Sequence, residues 1–274
     1  MSNLYVQALH IHPVKSVAGT APDEMAVEPW GLSGDRRWAL VDTEGTVITQ
    51  RQQPRLALAA ARPLGGDAVA LSAPGMAELA VQVPQPGPLE PVTLFGKKIE
   101  TVVAASAAAD WFSAYLGVPA RLVHMDDPAV RRPVDPQYAL PGETVSLADG
   151  YPVLLTTLAS LDALNSLIAQ GDHPEEGPLP MNRFRPNVVV AGAEAWAEDG
   201  WRRIAIGDAV FRGARECGRC IVTTTDQATA ERGKEPLKTL ARHRRIGKSL
   251  AFGRQLVPVR TGTVRVGDEV RVLE

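Results

Sequence analysis

Cysteine is nearly missing from this chain: two in 274 residues, Cys217 and Cys220. A secreted disulfide scaffold needs more, spread along the chain, so the count excludes one and points to a reducing compartment. No run reaches the roughly 18 apolar residues that a membrane-spanning helix needs. The stretch from Met1 to Val14 alternates apolar and polar residues and lacks the apolar centre of a secretory signal. The expectation is a soluble, cytoplasmic protein. Charge of one sign is scarce too: the formal net charge is −2 and no block of five or more Lys/Arg occurs, so neither nucleic acid nor a membrane surface has support as a partner. Gly247-Lys248-Ser249 resembles the end of a phosphate-binding loop, but Arg242 stands where that loop needs glycine. No dinucleotide-binding glycine fingerprint, nucleophile elbow or paired-histidine zinc motif is present.

What the chain does have is turn chemistry. With 24 Gly, 22 Pro and 45% hydrophobic residues, it reads as globular and built from short strands joined by many turns. The length suits one large domain or two ordinary ones. Leu4 to Ile11 reads as a strand that stops at Pro13, and Arg37 to Val41 with Thr46 to Ile48 as a hairpin about Glu44-Gly45. Leu56 to Ala61, Ala68 to Leu71, Leu79 to Val83, Val92 to Leu94 and Ile99 to Val103 continue the strand pattern. Helices are expected at Ala108 to Leu116, ended by Gly117, and at Leu158 to Gln170, capped by Thr157 and Gly171. Asp126 to Pro141 reads as a linker or the rim of a site. Beyond it, Asn187 to Ala191, Arg203 to Ile206, Ala209 to Arg212 and Ile221 to Thr225 are strand-like, Glu235 to Arg242 is helical, and Val264 to Leu273 closes as a hairpin about Gly267-Asp268.

Cys217-Gly218-Arg219-Cys220 admits four readings. A zinc site needs four ligands, and this run supplies two, while His10, His12, His124, His173 and His243 form no zinc-finger pair. A redox dithiol needs the second cysteine in a helix, whereas β-branched Ile221-Val222-Thr223-Thr224-Thr225 favours a strand. The pair can also be two small buried hydrophobes. The fourth reading is one thiolate on a soft metal, with Arg219 and Arg215 supplying positive charge beside it. A second set of residues sits at strand ends: Lys15-Ser16, Asp35-Arg36-Arg37, and Arg183-Phe184-Arg185-Pro186-Asn187. Alone, each is a solvated charge; together, flanking a metal thiolate, they suit phosphate or pterin oxygens. Asp149, near a turn, reads as a capping residue or a general acid.

In this order, the segments His12-Pro13-Val14-Lys15-Ser16, Gly34-Asp35-Arg36-Arg37-Trp38, Arg51-Gln52-Gln53-Pro54-Arg55-Leu56, Asp149-Gly150-Tyr151-Pro152, Phe184-Arg185-Pro186-Asn187, Cys217-Gly218-Arg219-Cys220-Ile221, Lys234 to Leu240 and Val266 to Val270 resemble MOSC-domain proteins of the amidoxime-reducing group. The resemblance implies a mainly β fold with a few helices (α+β). An N-terminal β-barrel-like module, residues 1–125, packs on a MOSC β-barrel, residues 126–274, with a cofactor groove between them. It further implies a molybdenum–molybdopterin cofactor with Cys220 as catalytic metal ligand. Lys15, Ser16, Arg36, Asp149, Gly150, Tyr151, Arg185, Asn187, Gly218 and Arg219 would contact the cofactor, with Gln255 carried over from the turn near Phe252-Gly253.

The implied activity is reduction of N-hydroxylated compounds such as amidoximes, hydroxylamines and N-hydroxylated bases, releasing the oxygen as water. Two cysteines cannot hold an iron–sulfur centre as well. Electrons would therefore come from a separate iron–sulfur or haem protein served by a flavin reductase. The eukaryotic members' anchor segment is not expected. Gly218 and Val17 depart from residues common in the family, and neither change removes the metal ligand. Two other functions stay open: a sulfur carrier with a persulfide on Cys220 and no molybdenum, and a cofactor-binding module without turnover.

Overall fold

The computed structural model describes residues 4–65 and 67–274. The chain is mostly β, as expected, with helices at Ser106–Leu116, Pro128–Arg131, Leu158–Ala169 and Leu237–His243. An eight-stranded sheet runs in the order Tyr5–Leu9, Val188–Ala191, Val153–Thr157, Ser249–Arg260, Ala209–Gly218, Arg203–Ile206 and Val270–Val272, with Arg245–Ile246 paired beside it. Its ends approach each other. The Val6 amide donates to Asp268, and Gly267 donates back to Val6 at 2.8 Å, so the sheet is nearly a closed barrel. Closure removes the unpaired edges that otherwise invite aggregation. Val6, Leu9, Leu155, Val188, Ile204, Phe211 and Leu256 fill its interior. A bulge between Val6 and Ala8 turns both Val6 and Leu9 inward, three positions apart, where strict alternation would put them on opposite faces.

The N-terminal half forms a five-stranded half-barrel in the order Val47–Ile48, Trp38–Val41, Arg121–His124, Lys97–Val103, Glu90–Leu94, with a three-stranded sheet Ala60–Leu64, Ala68–Ser72, Leu79–Gln82. Helix Ser106–Leu116 packs Trp111, Phe112, Tyr115 and Leu116 into their shared core. Gly117 ends it at φ 72, a conformation in which any side chain would be strained. The two halves are interwoven, because Tyr5–Leu9 lies in the large barrel and Glu24–Glu28 pairs with Gly262–Arg265.

Helix Leu158–Ala169 begins where expected, with the Thr157 hydroxyl accepting from the Ser160 amide. Three expectations fail. Leu56 to Ala61 is not one strand: Pro54, lacking an amide and fixed in φ, opens a 3-10 helix over Pro54–Leu58, and the strand starts at Ala60. Ile221–Thr224 is a 3-10 helix, not a strand. The Thr223 and Thr224 hydroxyls donate back to the carbonyls of Cys220 and Ile221, an alternative to sheet pairing that β-propensity does not see. The last segment is not a hairpin. The turn at Gly267 redirects the chain so that Gly262–Arg265 pairs with Glu24–Glu28 and Val270–Val272 pairs with Arg203–Ile206.

The segment from Asp126 to Pro141 is a rim rather than a solvated linker. It contains the short helix Pro128–Arg131, and Val134 packs against Tyr151 and Val257. Buried Arg132 donates to the carbonyls of Ser146, Ala148 and Asp149 and so props the loop that ends at Asp149.

Candidate active site

Where the N-terminal half-barrel meets the large barrel lies an open cleft. Every residue that the resemblance placed at the cofactor lines it: Lys15, Ser16, Arg36, Asp149, Gly150, Tyr151, Arg185, Asn187, Gly218, Arg219, Cys220 and Gln255; Arg37 of the basic strand-end set instead donates to the Met125 and Asp126 carbonyls. Arg183, grouped from the sequence with the basic strand ends, lines it too, as do Arg51, Ala148, Leu154, Phe184, Cys217, Val222 and Thr223, to which sequence reasoning gave no cofactor contact.

Backbone strain concentrates here. Ser16 (φ 67), Arg36 (φ 48) and Arg185 (φ 51) all sit in the left-handed region that L-residues avoid. Each costs on the order of 1 kcal/mol or more, and such residues cluster where a site must be held in one geometry. Arg36 is the knot. Its guanidinium donates to Asp35 at 2.5 Å, to Asn187 Oδ1 at 3.1 Å and to the Arg185 carbonyl at 3.0 Å. Asn187 spends its remaining capacity on the Leu154 amide and the His10 carbonyl, so its side chain holds the frame together. The Arg185 guanidinium donates to the Val17 carbonyl at 2.7 Å.

Lys15 is 3% exposed, yet it is ionised against Asp149 and donates to the Leu147 carbonyl at 2.9 Å. Burial pulls its pKa down to about 8, against the opposing pull of Asp149. Asp149 opens to the cleft with 61% of its side chain exposed. Desolvation by the surrounding cleft walls works against its ionisation, but Lys15, Arg51 and Arg36 together hold its carboxyl well below the usual range. Burial, with Arg36 adding repulsion, lowers the Arg185 pKa to about 9, which leaves it cationic at neutral pH.

The two cysteines differ sharply. Cys217 is 6% exposed, its sulfur accepts from Gln255 Nε2 at 3.0 Å, and burial pushes its thiol pKa up. Cys220 is half-buried and faces the cleft. The cation at its sulfur is neither Arg219 nor Arg215, as expected from sequence proximity, but Arg51, whose Nη2 lies 3.2 Å from Sγ and 3.7 Å from Asp149. Arg219 turns away to the carbonyls of Phe252 and Phe184 and packs over both rings. Arg215 pairs with Glu216. Arg51 sits 169 positions from Cys220, so no local pattern signals the contact; the only hint was its place in a family-like segment. Gln255 reaches Cys217 and not Cys220, and the Tyr151 hydroxyl is buried with no partner among the described residues.

Among the described residues, six cationic side chains and one carboxylate line the cleft. Asp35 and Asp226 each neutralise one more cation from behind, and positive charge remains in excess. Arg219 Nη2 is buried without an acceptor. An anionic group rich in oxygen acceptors, with a soft metal reachable from Cys220, matches this donor set.

Two family models match the chain: the MOSC N-terminal beta barrel domain over residues 3–119 and the MOSC domain over residues 142–271. Human mitochondrial amidoxime-reducing component 1 is 35% identical, covering 98% of this chain and 82% of its own length. Rat mitochondrial amidoxime reducing component 2 is 34% identical over 97% and 82%. A rice molybdenum cofactor sulfurase is 29% identical over 92% of this chain, which spans 32% of that longer protein. No helix among the described residues is long and apolar enough to cross a membrane. With its two matched domains and relatives above 30% identity over nearly its full length, the chain belongs to the MOSC-domain family, in the group of the amidoxime-reducing components.

Proposed function

We propose that the cleft binds an anionic pterin-type molybdenum cofactor through Cys220, and that the protein reduces N-hydroxylated compounds such as amidoximes and hydroxylamines. The observation that carries this reading is a half-exposed thiol in a cleft lined by six cations and one carboxylate. Lys15, Arg36, Arg185 and Arg219 offer charge and N–H donors to phosphate and pterin oxygens, and Ser16, Gly150 and Gly218 bring backbone close to the same space. Bound there, the cofactor would supply the two electrons and the oxygen-accepting centre that breaking an N–O bond needs. The protein's part is positional and electrostatic. Cys220 anchors the metal, Arg51 donates to its sulfur, and the Lys15–Asp149 pair places a proton-bearing group at the cleft wall. The frame consists of modules 1–125 and 126–274, with strands Tyr5–Leu9 and Glu24–Glu28 of the first crossing to pair with the second. The electrons come from a separate iron–sulfur or haem protein with its flavin reductase, in the cytoplasm.

The test is protein purified from a host that makes the cofactor. Molybdenum and pterin near one per chain, with turnover of an amidoxime by an artificial reductant, is the expected result. Protein that carries a persulfide on Cys220 and no molybdenum would replace this reading with sulfur transfer.

Lys15 also sets a pH dependence. Its ammonium is present below about 8 and lost as pH rises through that value. Cofactor retention and turnover should therefore fall on the alkaline side near pH 8. Lys15→Arg, which stays cationic, should move that limb upward. A pH profile of both proteins checks this; an unchanged alkaline limb in the variant removes Lys15 from it.

A further inference from the structure

Beside Lys15 and Arg51, two of the cations that line the cleft, stands an aromatic ring that belongs to no core cluster. Strands Glu90–Leu94 and Lys97–Val103 are joined through Phe95 and Gly96, with Leu94 opposite Lys97. Both loop residues have positive φ, 51 for Phe95 and 76 for Gly96. Such two-residue loops favour Asn, Asp or Gly at the first position, because a bulky side chain is strained there. Phe95 is nevertheless present, 54% exposed and contributing nothing to a core cluster. Its ring is not idle. The Lys15 ammonium lies 5.4 Å and the Arg51 guanidinium 5.1 Å from its centroid. Arg51 is the same side chain whose Nη2 touches the Cys220 sulfur, so one guanidinium separates the ring from the thiol.

We propose that Phe95 forms one wall of the substrate subsite beside Cys220 and selects N-hydroxylated compounds bearing a flat, conjugated or aryl group. The inference rests on the function proposed above. Two cations held against the ring fix its orientation, as a cation–π pair does, and the ring keeps about half its surface exposed beside them. A flat substituent stacking there gains the contact that aromatic pairs make beyond burial. A short alkyl substituent has too little surface to gain it. An aryl amidoxime stacked on the ring would have its N–O group directed past Arg51 toward Cys220.

The test compares the holoenzyme with Phe95→Ala, Phe95→Asn and Phe95→Trp, assaying benzamidoxime and acetamidoxime with an artificial reductant. Asn suits the turn's backbone and separates a lost contact from a disturbed hairpin. The Ala and Asn variants should raise KM for benzamidoxime about tenfold with little change in kcat, leave acetamidoxime within about twofold, and Trp should restore the preference. A second reading uses no turnover. Titration calorimetry with benzamide and acetamide, which are neutral like the amidoximes and have no N–O bond to reduce, should show the same selective loss. If the wild-type protein reduces neither amidoxime, the proposed function fails, while benzamide binding still decides the role of Phe95. Equal losses for aryl and alkyl ligands, or an unchanged benzamide affinity in Phe95→Ala, would overturn the proposal.

Discussion

Cys220→Ser protein is expected to fold normally and to carry no molybdenum, with reduction of amidoximes falling to background. Removing an outer-shell partner of a metal ligand costs roughly 10–100-fold in affinity or activity; removing the ligand itself should cost more. A hydroxyl stays protonated and is a poor soft-metal donor, whereas sulfur suits the metal. Cys220 is only half-buried, so the change should alter stability by no more than about 0.5 kcal/mol. Cys217→Ser is the matched control. Its sulfur is buried against Gln255, and burial keeps the thiol protonated, so it is unsuited to the metal. A hydroxyl there still accepts from Gln255, and metal content should persist. Elemental analysis, turnover and a denaturant titration of both variants check the pair. Molybdenum retained in Cys220→Ser, or lost only from Cys217→Ser, reverses the assignment of the ligand.

The contrast between the cysteines shows what a sequence carries and what it leaves out. The strand ends and turns that hold Lys15, Arg36, Asp149, Arg185 and Cys220 were readable, because each is a short local motif and all converge on one cleft. The caps at Thr157 and Gly117 were readable for the same reason: a cap is settled within four residues. Contacts across the fold were not. Arg51 reaches Cys220 only because the half-barrel docks on the large sheet, and the charge beside the thiol was therefore assigned to the sequence neighbours Arg215 and Arg219. Likewise, the β-branched run after Cys220 pointed to a strand until the threonine hydroxyls folded back onto their own turn. Barrel closure by Val6 against Gly267 and Asp268 joins segments some 260 residues apart, and no periodicity announces which strands will meet.

Arg36→Ala should destabilise the protein by about 3 kcal/mol and strip it of cofactor as well. Asp35 is 2% exposed, and Arg36 is its ion-pair partner in the structure. Cutting the guanidinium leaves a buried carboxylate with, among the described residues, only the His12 amide as donor, at 2.8 Å. The same cut leaves the Arg185 carbonyl and part of Asn187 without a donor. Removing one member of a buried pair is far costlier than removing both, since the survivor keeps its desolvation penalty. Asp35→Asn/Arg36→Ala should therefore recover a substantial part of the stability. It should not recover cofactor binding, because the cleft has still lost a cation and the strained turn that aims it. Denaturant unfolding of the single and double variants gives the coupling energy directly, and metal analysis of the same samples gives retention. If the double variant is no more stable than Arg36→Ala, the pair does not hold the turn. If both variants keep full molybdenum occupancy, Arg36 organises the fold alone and the cleft binds its ligand without it.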